Sequence, residues 1–231
     1  RHPHRYCIPY ANRDRMKQDE FTLAEVLQTL GYTTGPFGKW HLGTLTTNIR
    51  DSNRGRQGEL ESYAPPWEHG FDVCFSTEAK VPTYWKSGAY ESYGTHYWTR
   101  PNAMVPAGEI VGDDSKLIMD RALRFVTRAA KSNTPFFVVI WFHAPHLPVL
   151  SAPPYTDGYE TNQDYYGCLT AMDAQMGRLR SELSRLCIAD NTMLWFCSDN
   201  GPEGGDDSPG RTNGLRGRKR SLYEGGIRVP G

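Results

Sequence analysis

Apolar positions along the chain change period repeatedly, and each change predicts an element. After Thr22, the residues Leu23, Val26, Leu27 and Leu30 fall at i, i+3, i+4 and i+7, a helical stripe closed by Gly31. Tyr32 to Phe37 is β-prone and predicts a strand, and residues 44–68 are polar and read as a surface excursion. Phe71 to Phe75 predicts a short strand. Asp113 or Asp114 can N-cap a helix whose inner face is Ile118, Ala122, Phe125, Val126 and Ala129. Pro135 introduces the continuous apolar run Phe136 to Phe142, which predicts a strand buried on both faces. A second long helix carries Tyr165, Leu169, Met172, Met176, Leu179, Leu183 and Leu186, a stripe that reads as core. Thr192 to Cys197 predicts a further buried strand. Helix alternates with strand throughout, so the expected class is α/β, with helices covering a mostly parallel sheet.

Polar residues collect where these strands end. Phe136–Phe142 runs into His143-Ala-Pro-His146-Leu-Pro148, and the 192–197 run leads into Ser198-Asp199-Asn200-Gly201. Ligands of open α/β sheets bind outside the carboxyl ends of the strands, so both positions are candidates for a site. The first predicted strand leads into Gly38-Lys39-Trp40-His41. If the backbone stays extended, Lys39 and His41 share a face and can reach one anion.

Asp199 and Asn200 offer the oxygen donors that a hard cation such as Ca²⁺ prefers, although an Asx turn explains the same residues. Two oxygens do not complete a calcium shell, and Asp206-Asp207 lies in a Gly/Pro/Ser-rich loop that reads as solvated. His143 and His146 read equally as structural groups or as site groups. Thiol and acidic partners for zinc are not arranged around them. Arg216-Gly-Arg-Lys219-Arg220 reads as a solvated basic run, or as one with a cation turned inward. The aromatics Tyr84, Trp85, Tyr90, Tyr93, Tyr97 and Trp98 suit either a loop packed on the core or a sugar-stacking surface.

Composition narrows the field. The 231 residues carry 26 basic and 26 acidic side chains, a net charge of zero, so general attraction to nucleic acid is not expected and anion recognition must be local. No apolar run approaches a membrane span. Five widely spaced cysteines form no C-x-x-C pair and leave room for one unassigned disulfide. No signal peptide is evident, and both ends read as cut.

Taken together, Gly31-Tyr-Thr-Thr-Gly-Pro-Phe-Gly-Lys-Trp-His-Leu-Gly43, His143-Ala-Pro-His-Leu-Pro148, Ser198-Asp-Asn-Gly-Pro202 and the block from Leu215 to Pro230 resemble, in order, the signature stretches of the type I, formylglycine-dependent sulfatases. The resemblance implies an alkaline-phosphatase-like α/β fold with helices on both faces of the sheet. It further implies a sulfuric ester hydrolase using Ca²⁺ and a formylglycine made from Cys or Ser. By position, Asp199 and Asn200 would be metal ligands, and Lys39 and Lys219 would bind sulfate oxygens. His146 would bind substrate and protonate the leaving alcohol, and His41 would promote release of sulfate from the nucleophile. Cys7 imitates the start of the nucleophile motif, but Tyr10 and Ala11 depart from it. Arg1-His-Pro-His-Arg5 resembles the stretch that follows that motif, so Cys7 reads as a bystander. Residues 1–231 are thus expected to be a single partial catalytic domain, lacking the nucleophile block and half the calcium ligands and having little activity alone. The implied substrate is a sulfate ester of a carbohydrate or aryl compound, and the implied location is secreted or periplasmic. A phosphatase or phosphodiesterase of the same superfamily, and a non-catalytic sulfated-glycan binder, are the competing expectations.

Overall fold

The computed structural model describes residues 15–52, 58–205 and 207–231. Cys7, the Arg1–Arg5 stretch and Asp206 lie outside them.

Helix α1 (Leu23–Thr29) begins at a closed capping box: Glu25 N–H donates to Thr22 Oγ1 at 3.2 Å, and Thr22 N–H donates to Glu25 Oε2 at 2.6 Å. Its apolar stripe does not face the core as the spacing suggests. Leu23, Val26 and Leu30 are exposed, and Ala24 is the buried position. Polar bonds set this orientation. Thr22 Oγ1 donates to His69 O at 2.9 Å and Gln28 Nε2 to Asp72 Oδ1 at 2.6 Å, docking the opposite side of the helix on the 69–72 segment.

Strand β1 (Thr33–Lys39) is the centre of the fold. It pairs in parallel with β2 (Phe75–Thr77) on one side and with β7 (Phe136–Trp141) on the other. Two antiparallel strands, β4 (Trp98–Arg100) and β5 (Ala103–Met104), extend the sheet to the order β5-β4-β2-β1-β7. The pair β3 (Tyr84–Trp85) and β6 (Gly112–Asp113) forms a small second sheet. The main sheet is therefore mixed, with its parallel strands grouped around β1.

Both faces are covered, and β7 shows how. Phe136, Val138 and Ile140 pack into a cluster with Phe37, Ile118, Phe125 and Leu179, beneath helices α3 (Asp114–Lys131) and α4 (Gln163–Arg185). Phe137 and Val139 pack on the opposite cluster, with Ala24 of α1, Trp40, Phe71 and Trp98. This is the period-two alternation of a strand between two layers. Helix α3 follows its predicted face closely, burying Ile118, Ala122, Phe125, Val126 and Ala129 behind an Asp113 N-cap that accepts from Lys116 N–H at 2.8 Å. In α4 the buried line runs instead through Cys168, Ala171, Gln175, Leu179 and Leu183, while Met172 and Met176 are only half-buried. The methionines are left on the flank of this line.

Three strand expectations change. The second strand is Phe75–Thr77, displaced toward the carboxyl side of the predicted 71–75 stretch. Strand β7 is half-buried, with no partner on its outer edge among the described residues. The 192–197 run forms no strand at all: Met193 and Trp195 are 82% and 78% exposed. Its apolar character is real, but none of the described strands lies alongside to pair with it.

Most of the aromatics at 84–98, a stretch that includes the short helix α2 (Ala89–Ser92), belong to the core. Trp85 and Tyr97 are fully buried, Tyr90 and Trp98 nearly so, and Phe75 stacks on Tyr97 at 4.1 Å between centroids. Burial removes the sugar-stacking surface that these four rings offered in the sequence.

Candidate active site

The parallel strands β1, β2 and β7 all end at one edge of the sheet, and functional side chains leave each end. Strand β1 ends at Lys39. Trp40 N–H then donates to Thr77 O at 2.8 Å and His41 N–H to Glu78 O at 2.7 Å, tying the segment to the end of β2. His41 has a φ of 50°, in the left-handed region, so the chain turns after Lys39. The shared extended face expected for Lys39 and His41 is therefore not the geometry observed.

Beneath this edge lies a buried polar network that sequence reasoning did not find. His143, just past β7, is 2% exposed. Its Nδ1–H donates to Asp114 Oδ2 at 2.8 Å, and its Nε2 meets Thr77 Oγ1 at 2.9 Å. Tyr97 Oη–H at 2.7 Å and Trp85 Nε1–H at 3.0 Å donate to the other Asp114 oxygen. Three side chains are thus fastened to one carboxylate, and the buried group is well satisfied. Burial and the neighbouring Asp114 charge push the Tyr97 hydroxyl well above its usual pKa, which keeps it a donor. The network anchors the loop that carries His146, whose N–H donates to His143 O at 2.6 Å.

The opposite wall comes from residues 198–226. Asp199 and Asn200 sit in a turn in which Ser198 Oγ–H donates to Asn200 O at 3.1 Å and Gly201 N–H donates to Gly226 O at 2.9 Å. Lys219 N–H donates to Pro202 O at 3.1 Å, docking the basic run on the same turn beside the short helix α5 (Glu224–Ile227). Only glycine permits this contact. A Cβ on Gly201 would lie 1.9 Å from Gly225 O, and one on Gly225 would lie 2.1 Å from Gly217 O.

Lys39, His146 and Lys219 converge between these walls. The Lys39 pKa is lowered, first by burial and then by the Lys219 charge, with Lys80 adding to the effect and Asp199 and Glu203 opposing it. The His146 pKa is also lowered, first by burial. Its hydrogen bond to Leu147 O and the Glu203 charge oppose this, while Lys219 and Lys39 reinforce it. Two cations of the basic run turn inward, Lys219, 21% exposed, and Arg218, whose Nη2 donates to Glu203 O at 3.2 Å and Gly210 O at 2.8 Å, whereas Arg220 is 72% exposed. Two lysines and an imidazole with restricted access to water make a strong local demand for an anion in a chain of zero net charge.

Two charged members of the site were missed. Lys80 lies three residues beyond the end of β2, and misplacing that strand hid it. Glu203 contacts Lys219, Arg220 and His146; its loop, rich in glycine and proline, reads as solvent-facing from sequence.

The donor set at Asp199 and Asn200 fits a hard cation in kind but not in number. Among the described residues no group of three His, Cys, Asp or Glu side chains is placed to hold a metal ion. Among the described cysteines, Cys74, Cys168, Cys187 and Cys197 are free thiols, and burial pushes Cys74 and Cys168 up to about 12, far from reactive thiolate. No helix is long and apolar enough to cross a membrane among the described residues.

Known proteins resemble this chain in sequence and in fold. The chain is 27% identical over its whole length to the uncharacterized sulfatase YdeN of Escherichia coli, matching 42% of that protein. It is 29% identical to arylsulfatase A of Homo sapiens, across 95% of this chain and 43% of the relative. It thus spans less than half the length of these relatives. Among solved structures, Ps i-CgsB in complex with k-i-k-neocarrahexaose superposes with a TM-score of 0.74 at 24% identity, covering 93% of this chain and 47% of that one. PsFucS1 sulfatase from Pseudoalteromonas sp. gives 0.69 at 22% identity, covering 95% and 46%. These likenesses support the alkaline-phosphatase-like α/β fold, and a sulfatase family model matches residues 2–231. With that match across nearly every residue, the chain belongs to the sulfatase family.

Proposed function

We propose that the intact protein hydrolyses sulfate esters, converting ester and water to alcohol, sulfate and a proton, and that residues 1–231 are one partial catalytic domain carrying the anion-binding half of its centre. The observation that supports this most is the convergence of Lys39, His146 and Lys219 at the carboxyl edge of the parallel strands. Fixed cations there offset the charge on a sulfuryl group as its ester bond breaks, with little reorganisation.

In this reading Lys39 and Lys219 hold sulfate oxygens. His146 donates its Nε2 proton to the leaving oxygen, its Nδ1–H being committed to Leu147 O at 2.7 Å. His41 assists release of sulfate from the nucleophile. Asp199 and Asn200 would supply two oxygen ligands to a Ca²⁺, which would neutralise charge beside the sulfate. The 231 residues alone then turn over little ester. The relatives' names, which include N-acetylgalactosamine-6-sulfatase and arylsulfatase, favour a sulfated carbohydrate or aryl sulfate as substrate, and the resemblance to the sulfatases favours an extracytoplasmic compartment.

The test is turnover of nitrocatechol sulfate and of sulfated oligosaccharides by the full-length protein, wild type against Lys219→Ala. Loss of one fixed cation is expected to lower kcat/KM about 100-fold or more. Equal turnover by the two proteins would remove the cation cluster from the mechanism.

A further inference from the structure

Glu203 stands inside the cation cluster, where a carboxylate is unexpected. An anion-binding site gains from every cation and loses from a resident negative charge. Yet the Glu203 side chain is only 21% exposed and is held in place from two sides. Its Oε1 accepts from Arg220 at 2.7 Å. Its Oε2 lies 3.5 Å from Lys219 Nζ and 3.7 Å from His146 Nε2.

The tautomer of His146 gives the contact its meaning. Because Nδ1–H is committed to Leu147 O, Nε2 is the nitrogen that gains or loses a proton, and it is the one that faces Glu203. The charges around the ring come from three segments: Lys39 at the end of β1, Lys219 in the basic loop, and Glu203 in the loop after Gly201. Both lysines disfavour an imidazolium. Of these three charges, Glu203 alone favours it. Desolvation would raise the Glu203 pKa, but the Arg220 bond and the surrounding cations outweigh it and hold the carboxylate ionised.

We propose that Glu203 is a positioning residue for this site, whose carboxylate orients the Nε2 edge of His146 beside Lys219 and supplies the counter-charge that keeps a proton there for a leaving oxygen. The lysines needed for sulfate would otherwise strip that proton from the acid beside them. Glu203 reconciles the two requirements at a cost in anion affinity, since it competes with sulfate for Lys219. This role rests on the sulfatase reading above.

The test uses the full-length protein with Glu203→Gln, which keeps the shape and removes the charge, and Glu203→Asp, which keeps the charge. Both are compared with wild type on an alkyl sulfate, whose leaving oxygen needs a proton, and on a nitroaryl sulfate, whose leaving oxygen needs it much less. Glu203→Gln is expected to lose about tenfold more kcat/KM on the alkyl ester than on the nitroaryl ester, and to shift the alkaline limb of the alkyl profile down by about one pH unit. Calorimetry is expected to show the same variant binding inorganic sulfate severalfold more tightly. Glu203→Asp is expected to restore the profile in large part. Equal losses on the two esters with an unmoved profile and unchanged sulfate binding would reduce Glu203 to a structural contact. A wild-type protein that hydrolyses neither ester would instead overturn the sulfatase reading itself, and the assignment of Glu203 with it.

Discussion

Lys39 and His146 stand on one side of the site, Lys219 and Asp199 on the other, and the two sides are built differently. Behind the first lie Trp85, Tyr97, Asp114 and His143, all buried and joined by hydrogen bonds of 2.7–3.0 Å. Behind the second there is almost no side-chain core. From residue 198 to 231 every described buried position is a glycine: Gly210, Gly225 and Gly226. The first wall is positioned by packing and a satisfied polar network, and the second by backbone meeting backbone. Disturbing the first should therefore be read in global stability, and disturbing the second in local geometry and rate.

The sharpest way to break this contrast is Asp114→Ala. It leaves His143 Nδ1, Tyr97 Oη and Trp85 Nε1 without their acceptor in a dry interior, and the expected loss is about 3–5 kcal/mol of stability. Chemical denaturation of the full-length protein measures it, and a loss below about 1 kcal/mol would mean that water enters the network.

Next comes Gly225→Ala on the opposite wall. The added methyl would sit 2.1 Å from Gly217 O, so the basic loop must move and carry Lys219 with it. A displacement of about 1 Å is expected to lower kcat/KM about 100-fold, with a smaller fall in Tm than Asp114→Ala produces. If Tm collapsed instead, the second wall would be part of the folding core and the contrast would fail.

A smaller effect sharpens the account of the first wall. Asp113 caps α3, and burial raises its pKa from 3.8 to about 6, against the stabilising bond from Lys116 N–H. The folded protein thus holds a proton that the unfolded chain releases between about pH 4 and 6. The stability this contributes is full below pH 4 and is lost as pH rises through 6. Asp113→Asn keeps the cap acceptor and removes the charge. It should stabilise by about 2 kcal/mol at pH 7.5 and by almost nothing at pH 4. Equal effects at the two pH values would show that Asp113 has the same proton affinity folded and unfolded.

The same contrast explains what could be read from sequence. Helix α3 was legible because its apolar spacing and its burial agree, with the cap falling on Asp113, one of the two aspartates the sequence offered. Lys39 and His146 were legible as candidates because they stand at or just past strand ends, a local relation in sequence, whereas Asp199 follows a run that forms no strand and Lys219 was singled out by the resemblance of the 215–230 block. The Asp114–His143–Thr77 network was not, since its members are 29 and 66 residues apart and each looks ordinary alone. Glycine patterns such as Gly225-Gly226 were visible, but their function, letting backbone approach backbone, depends on a partner that sequence does not name. Stripes misled where polar docking overrode them, as in α1, where Thr22 and Gln28 decided which side faced the protein.

Finally, the outer edge of β7, unpaired among the described residues, and the exposed Met193–Phe196 run bear on how residues 1–231 behave in solution. A strand edge with open hydrogen-bonding groups, in a molecule that also displays Trp195 at 78% exposure, is a template for like edges. Self-association of this stretch would grow with concentration and bury that edge and those side chains first. Colloidal behaviour, more than fold or chemistry, then sets the concentration at which the isolated stretch can be handled.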